Sequence, residues 1–274
     1  MSEPSRPRLA ITPIPALDDN YIWLLQADDR RQAACVDPGE AEPVLAVLAA
    51  RGLELTAILI THHHPDHTAG IAELVAAYPD ALVCGPRDRR LKGLTRVVGE
   101  GDEAAVPGLA AGFRVLEVPG HTASHIAYLG PTPDDDALFC GDTLFTAGCG
   151  RVFDGTCAQL AASLARLAAL PPTTLCYCAH EYTLANLGFA AWVEPDNPAR
   201  AARQADAERR RAAGEPTVPA TLALELATNP FLRTGEPAVR AAAERFAGQP
   251  LDASPPPRIE VFTALRRWKD TEYD

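Results

Sequence analysis

The chain has 274 residues, 47% of them hydrophobic, with 25 Lys and Arg against 36 Asp and Glu and a formal net charge of -11. This is enough apolar material for one large domain or two modest ones, and it rules out a disordered or collagen-like chain. The acidic balance repels phosphate backbones, so nucleic acid is not an expected partner.

In chain order, Pro4, Pro7, Pro13 and Pro15 interrupt the first apolar stretch, so no signal peptide is expected and the chain reads as cytoplasmic. Residues 21–27 (YIWLLQA) and 32–37 (QAACVD) predict the two strands of a hairpin, joined by the polar turn from Asp28 to Arg31. Val44, Leu45, Val47 and Leu48 give 40–51 helical spacing, with Gly52 as its stop. The apolar run 55–61 (LTAILIT) suits a strand buried on both faces. A helix is predicted over 68–78, then strands at 81–84, 113–118, 125–129, 137–140 and 174–178, with a helix at 157–170 before the last. After His180 the pattern is helical: 182–192, 197–213, 219–228, 236–247 and 257–269. Residues 1–180 carry 13 basic and 22 acidic side chains and 181–274 carry 12 and 14, so the acidity belongs to the first part. The expected organisation is an α/β domain over 1–180 followed by a helical domain over 181–274. No repeat period is visible, and no 18 apolar residues run together to cross a membrane.

Seven cysteines, an odd number without a CxxC pair, lie in or beside apolar runs and predict reduced, mostly buried thiols. Cys140 and Cys149 fall near the histidine segments, but core packing is the better reading for both.

All seven histidines fall in three short segments. The first is Thr61-His62-His63-His64-Pro65-Asp66-His67, directly after the buried run. In extended chain, alternation points His62 and His64 one way and His63 the other, and Pro65 keeps His64 out of the helical region. Asp66 and His67 then open the next helix and can turn two more donors toward the same place. Four donors exceed what one catalytic zinc takes from protein, since such a site keeps three ligands and an open position. Two metals are therefore expected, and His121, Asp142 and His180, each just past a predicted strand, supply the further donors. His63 and His125 are assigned to support, orienting the ligands or their loop. The donors suit zinc, iron or manganese.

The segments DDNYIW, VDPG, THHHPDH, PGHTASH, CGDTLFTAGCGR, CAHEYTLANLGFA, NPFLR and LRRWK resemble the metallo-β-lactamase superfamily and, within it, the hydroxyacylglutathione hydrolase (glyoxalase II) family, from Asp18 to Lys269. The resemblance implies an αββα sandwich followed by a glutathione-binding helical domain, and hydrolysis of S-D-lactoylglutathione to D-lactate and glutathione. It implies one ion on His62, His64 and His121, a second on Asp66, His67 and His180, and Asp142 between them. A hydroxide held by both ions would attack the thioester, with Asp66 orienting the water. Glutathione contacts are implied at Arg151, Phe153, Tyr182, Arg266 and Lys269, in a protein acting as a monomer. Some family members carry Tyr where this chain has Phe153, and a bulky residue where it has Pro65. Without the resemblance, Arg266, Arg267 and Lys269 read as a solvated helix end favourable to the dipole.

Rival readings are a mononuclear-iron glutathione persulfide dioxygenase, a metal-dependent lactonase or β-lactamase, and a nucleic-acid-processing or non-catalytic member. The helical C-terminal segment opposes the first. The lack of a signal peptide weighs against a β-lactamase, and the unbroken donor set and the negative charge oppose the nucleic-acid-processing and non-catalytic readings.

Overall fold

The computed structural model describes residues 9–27, 31–109, 111–132, 136–252, 254 and 256–273. The turn expected over 28–31 therefore lies largely outside the described residues. The chain divides into two compact units, one of Met1–Glu117 with Ser124–Gly141 and one of Val118–Ala123 with Asp142–Asp274.

In the first unit, β1 (Leu9–Ala16), β2 (Asn20–Ala27), β3 (Gln32–Val36), β4 (Glu54–Leu59), β5 (Leu82–Gly85) and β6 (Arg96–Val97) form one sheet in sequence order. The first three pair antiparallel, and β3 to β6 run parallel. Parallel neighbours need crossovers: α1 (Glu42–Arg51) joins β3 to β4, the pair α2 (Pro65–Thr68) and α3 (Ile71–Ala77) joins β4 to β5, and a helix-free stretch over 86–95 joins β5 to β6. Val44 and Leu48 of α1 and Ile71 and Leu74 of α3 enter one core with Ile22, Leu24 and Ile58 of the sheet and Ile60 just past β4. Each such side chain contributes roughly 1.5–3 kcal/mol on full burial. Four further strands, β7 (Glu103–Val106), β8 (Ala111–Glu117), β9 (Ile126–Pro131) and β10 (Asp136–Gly141), form an antiparallel run in that order. Tyr128 of β9 donates its hydroxyl hydrogen to the Ile60 carbonyl at 2.9 Å, which ties this run to the end of β4.

Two differences from the sequence reading have physical causes. No strand is predicted over 9–16, where Pro13 and Pro15 interrupt the apolar stretch. Yet β1 is the edge of its sheet, where proline is tolerated. The single helix expected over 68–78 starts at Pro65 and breaks after Thr68. At the break the Gly70 amide donates to Pro38 O at 3.0 Å, and a Cβ on Gly70 would stand 2.6 Å from the Glu40 backbone. The loop after β3 thus lies directly on the helix start that carries Asp66 and His67.

The second unit contains the hairpin β11 (Leu144–Phe145) and β12 (Gly148–Cys149), α4 (Cys157–Ala168), the antiparallel pair β13 (Leu175–Cys178) and β14 (Ala220–Thr221), and the helices α5 (Thr183–Val193), α6 (Pro198–Ala212), α7 (Leu222–Thr228), α8 (Pro237–Ala247) and α9 (Ile259–Trp268). Helix caps are built locally: the Asn197 side chain accepts from the amides of Ala199 and Arg200 at the start of α6, as N-cap chemistry favours. Its core is aromatic, with Phe189 stacked on Phe231 at 5.9 Å and Phe246 on Trp268 at 5.4 Å. A π-helical turn over Lys269–Tyr273 follows α9, with Tyr273 edge-on to Trp192 at 4.9 Å. Arg266 is 2% and Lys269 6% exposed, so of the three cations read as a solvated helix end only Arg267 faces solvent. All seven cysteines are free thiols, six of them buried. Among the described residues no helix is long and apolar enough to cross a membrane.

Candidate metal centre

In the first unit the donors rise from the end of β4. The His62 ring lies 4.6 Å from that of His64 and 4.1 Å from that of His67, while the His63 ring is 6.3 Å away. Strand-like alternation thus gathers His62 and His64, and α2 swings His67 back beside them. His63 turns its Nδ1 to Asp88, 3.6 Å from Oδ2. That carboxylate also accepts from Arg90 and Ser124, and the Arg90 guanidinium holds it well below the usual carboxylate range. His125 stacks on His62 at 4.6 Å, with planes 17° apart.

Asp37, just past β3 in VDPG, was not singled out by sequence reasoning as a functional residue. Its Oδ1 accepts from the Thr61 amide at 2.8 Å and its Oδ2 from the Thr61 hydroxyl at 2.6 Å. Thr61 Oγ1 stands 3.0 Å from His62 Nδ1, and Asp37 Oδ2 stands 3.1 Å from His67 Nδ1. Since the Thr61 hydroxyl hydrogen goes to Asp37, Thr61 Oγ1 accepts from His62 Nδ1, which leaves His62 Nε2 as the lone-pair donor. Asp37, His62 and His67 each bring a ligand-type atom within 4.8 Å of the others. Both Asp37 oxygens accept from Thr61, so this carboxylate ties the end of β3 to the start of the histidine loop. The signal was an aspartate at a strand end before Pro-Gly, which alone is indistinguishable from a turn residue.

The second unit brings His121, Asp142 and His180 together. Asp142 Oδ2 lies 3.4 Å from His121 Nε2, and Oδ1 lies 3.4 Å from His180 Nε2. Each carboxylate oxygen therefore serves a different imidazole. A tetrahedral ion with bonds of about 2.0–2.2 Å to nitrogen and oxygen separates its ligand atoms by about 3.4 Å, so these spacings fit shared coordination and are long for hydrogen bonds. The 3.3 Å from Asp66 Oδ2 to His67 Nε2 in the first unit fits equally well. His121 Nδ1 donates to the Arg151 carbonyl at 2.8 Å, again leaving Nε2 for an ion. Gly150 permits this approach, since a Cβ there would stand 2.0 Å from Asp142 O and 2.8 Å from His121 Nδ1.

Around these donors, Phe153 is 64% exposed and edge-on to His121 at 5.2 Å. Tyr182 stacks flat on His180 at 4.7 Å with planes 7° apart. Arg151 is half exposed, its Nε 3.7 Å from Asp270 Oδ1. Arg266, by contrast, donates to Asp270 Oδ1 at 2.8 Å and to Cys149 O at 3.0 Å, and its guanidinium lies 5.3 Å from the Phe231 ring centre. Lys269 Nζ lies 5.7 Å from the Tyr273 ring centre. Burial pushes the Cys149 thiol up to about 11, so it is a packed thiol rather than a thiolate ligand.

The layered fold and its histidine and aspartate groups define a metallo-β-lactamase-type protein. The model of the metallo-β-lactamase superfamily matches residues 17–180, and that of the hydroxyacylglutathione hydrolase C-terminus matches 181–272. The solved B3 metallo-β-lactamase BLEG-1 shares the fold, with a TM-score of 0.61 at 21% identity over 82% of this chain and 99% of that one. TTHA1623, solved in a di-iron-bound form, gives 0.58 at 27% identity over 81% and 100%. A hydroxyacylglutathione hydrolase of Alkalilimnicola ehrlichii is 58% identical over 95% of this chain and 98% of its own length, and one of Cupriavidus taiwanensis is 52% identical over 96% and 98%. The chain belongs to the hydroxyacylglutathione hydrolase family.

Proposed function

We propose that this protein hydrolyses S-(2-hydroxyacyl)glutathione, with S-D-lactoylglutathione giving D-lactate and glutathione, as the second step of methylglyoxal detoxification. The observation that carries the hydrolytic reading is Asp142, whose two oxygens stand at ligand-edge distance from the Nε2 atoms of two different histidines. The substrate class comes from the names of the relatives. In this reading His62, His64 and His121 hold one divalent ion, Asp66, His67 and His180 a second, and Asp142 serves both. Zinc suits these donors, and iron or manganese fits the same set. When bound, such a pair lowers the pKa of a water toward about 7 and polarises the thioester carbonyl.

The chain's own groups do the rest. Asp66, its Oδ2 accepting from Asn20 Nδ2 at 3.2 Å, orients the attacking water and takes its proton. The departing thiol has a pKa of about 8.5, so it leaves as thiolate with little need of an acid. Arg151, Arg266 and Lys269 supply the positive charge for the carboxylates of glutathione, and Tyr182 and Phe153 supply ring surface. Phe153 lacks the hydroxyl of a tyrosine and so offers contact without a hydrogen bond. Residues 1–180 form the catalytic part and 181–274 the substrate-binding part of a cytoplasmic monomer.

The test is metal content per chain measured beside turnover of S-D-lactoylglutathione, followed as loss of thioester absorbance. Two ions per chain and rapid thioester loss are expected. A metal-loaded chain that leaves the thioester intact but consumes oxygen with glutathione persulfide would sink the proposal.

A further inference from the structure

Between Asp142 and Arg151 the chain makes the hairpin of β11 and β12, and its backbone is held by α7 and the residues just after it. The amide of Ala147, a non-glycine residue at φ 54, donates to Glu225 Oε2 at 2.9 Å. Asn229 Nδ2 spans the hairpin, 2.8 Å from Gly148 O and 3.3 Å from Phe145 O, and also lies 3.1 Å from Glu225 Oε2. Glu225 Oε1 takes the guanidinium of Arg203 from α6, which also donates to Thr228 Oγ1 at 2.6 Å. Glu225 is 1% and Asn229 0% exposed. A buried carboxylate and amide that spend their hydrogen bonds on a left-handed turn hold it in a geometry it would not keep alone. The hairpin in turn sets a ring: Phe145 stands edge-on to His180 at 5.7 Å and to Tyr182 at 5.2 Å.

We propose that Glu225 and Asn229 are positioning residues for the metal centre, holding the hairpin so that Phe145 sets the His180 ring and Asp142 meets it. The proposal rests on the hydrolase reading above, and it gives the Asn of NPFLR a task. Loosening the turn lets the His180 ring rotate and weakens the ion that His180 holds, before any contact with substrate is lost.

The experiment uses the full chain with Asn229→Ala, and with Glu225→Gln as the second variant should the first fail to fold. Three quantities are read: amide exchange over 144–149 in the metal-free chain, zinc per chain after dialysis, and kcat and KM for S-D-lactoylglutathione. Val239→Ala, which opens a cavity in α8, controls for lost stability alone. The positioning variants are expected to exchange at least tenfold faster over 144–149, to retain about one zinc where wild type retains two, and to lose tenfold or more in kcat with KM within threefold. The control should lower Tm and leave all three unchanged. Unchanged exchange over 144–149 overturns the proposal, and so does faster exchange with zinc and kcat at wild-type levels. A wild-type chain that binds no zinc and hydrolyses no thioester overturns the hydrolase reading instead, and the exchange arm shows which of the two has failed.

Discussion

Asp37 Oδ2 stands 3.1 Å from His67 Nδ1 and, through the Thr61 hydroxyl, controls His62 as well. One carboxylate therefore stands against His67 and, through Thr61, holds His62 on the same loop. Asp37→Ala should weaken metal binding by about 10–100-fold, the usual cost of removing a group that orients a ligand, and Asp37→Asn should fall between. Chelator competition measures this directly. Metal affinity within twofold of wild type in both variants would show that the loop orients its histidines unaided.

Asp142→Ala should lose metal and activity together, because both oxygens stand at ligand distance from different histidines. Elemental analysis of the purified variant decides the matter. A full complement of metal would refute a carboxylate shared between two ions.

The three cations should separate by burial. Arg151→Ala, at a half-exposed side chain, is expected to raise KM by about fivefold with kcat within twofold, as loss of one surface ion pair of about 1 kcal/mol would do, and the buried Lys269→Ala should raise KM by at least as much. Arg266→Ala should in addition lower Tm by about 4–8 °C, since its 2%-exposed guanidinium leaves Asp270 and the Cys149 carbonyl without their donor. Steady-state kinetics beside thermal melts test this, and an Arg266→Ala chain as stable as wild type would contradict it.

Thiol reactivity follows burial. Cys149 and Cys178 are pushed up to about 11 and about 12 by desolvation, so at pH 8 both are held as neutral thiols. Raising the pH toward 11 increases the ionised fraction of Cys149, yet the buried sulfur still needs the fold to open. Cys157 alone is partly exposed. Native protein at pH 8 should therefore label rapidly at one thiol, and Cys157→Ser should abolish that phase. Rapid labelling of two or more thiols would show that the cores open readily.

Much of the fold was legible because its signals are local. The β4 run, the helix ending at Gly52 and the capped α6 each follow from spacing or from one residue's chemistry, and HxHxDH marks the loop because alternation and Pro65 act within a few residues. Metal-type donors could be named the same way. What the sequence could not convey was which neighbours each side chain would meet. Asp37 reads as a turn aspartate until β3 and β4 align it with Thr61, and β1 reads as no strand until it lies at a sheet edge where Pro13 and Pro15 cost no ladder bond. Arg266 reads as a solvated cation until α9 buries it against Cys149 and Asp270. Residue types and their local periods were determined by the sequence itself. Burial and long-range hydrogen-bond partners were decided by tertiary structure alone, because they depend on contacts between segments tens of residues apart.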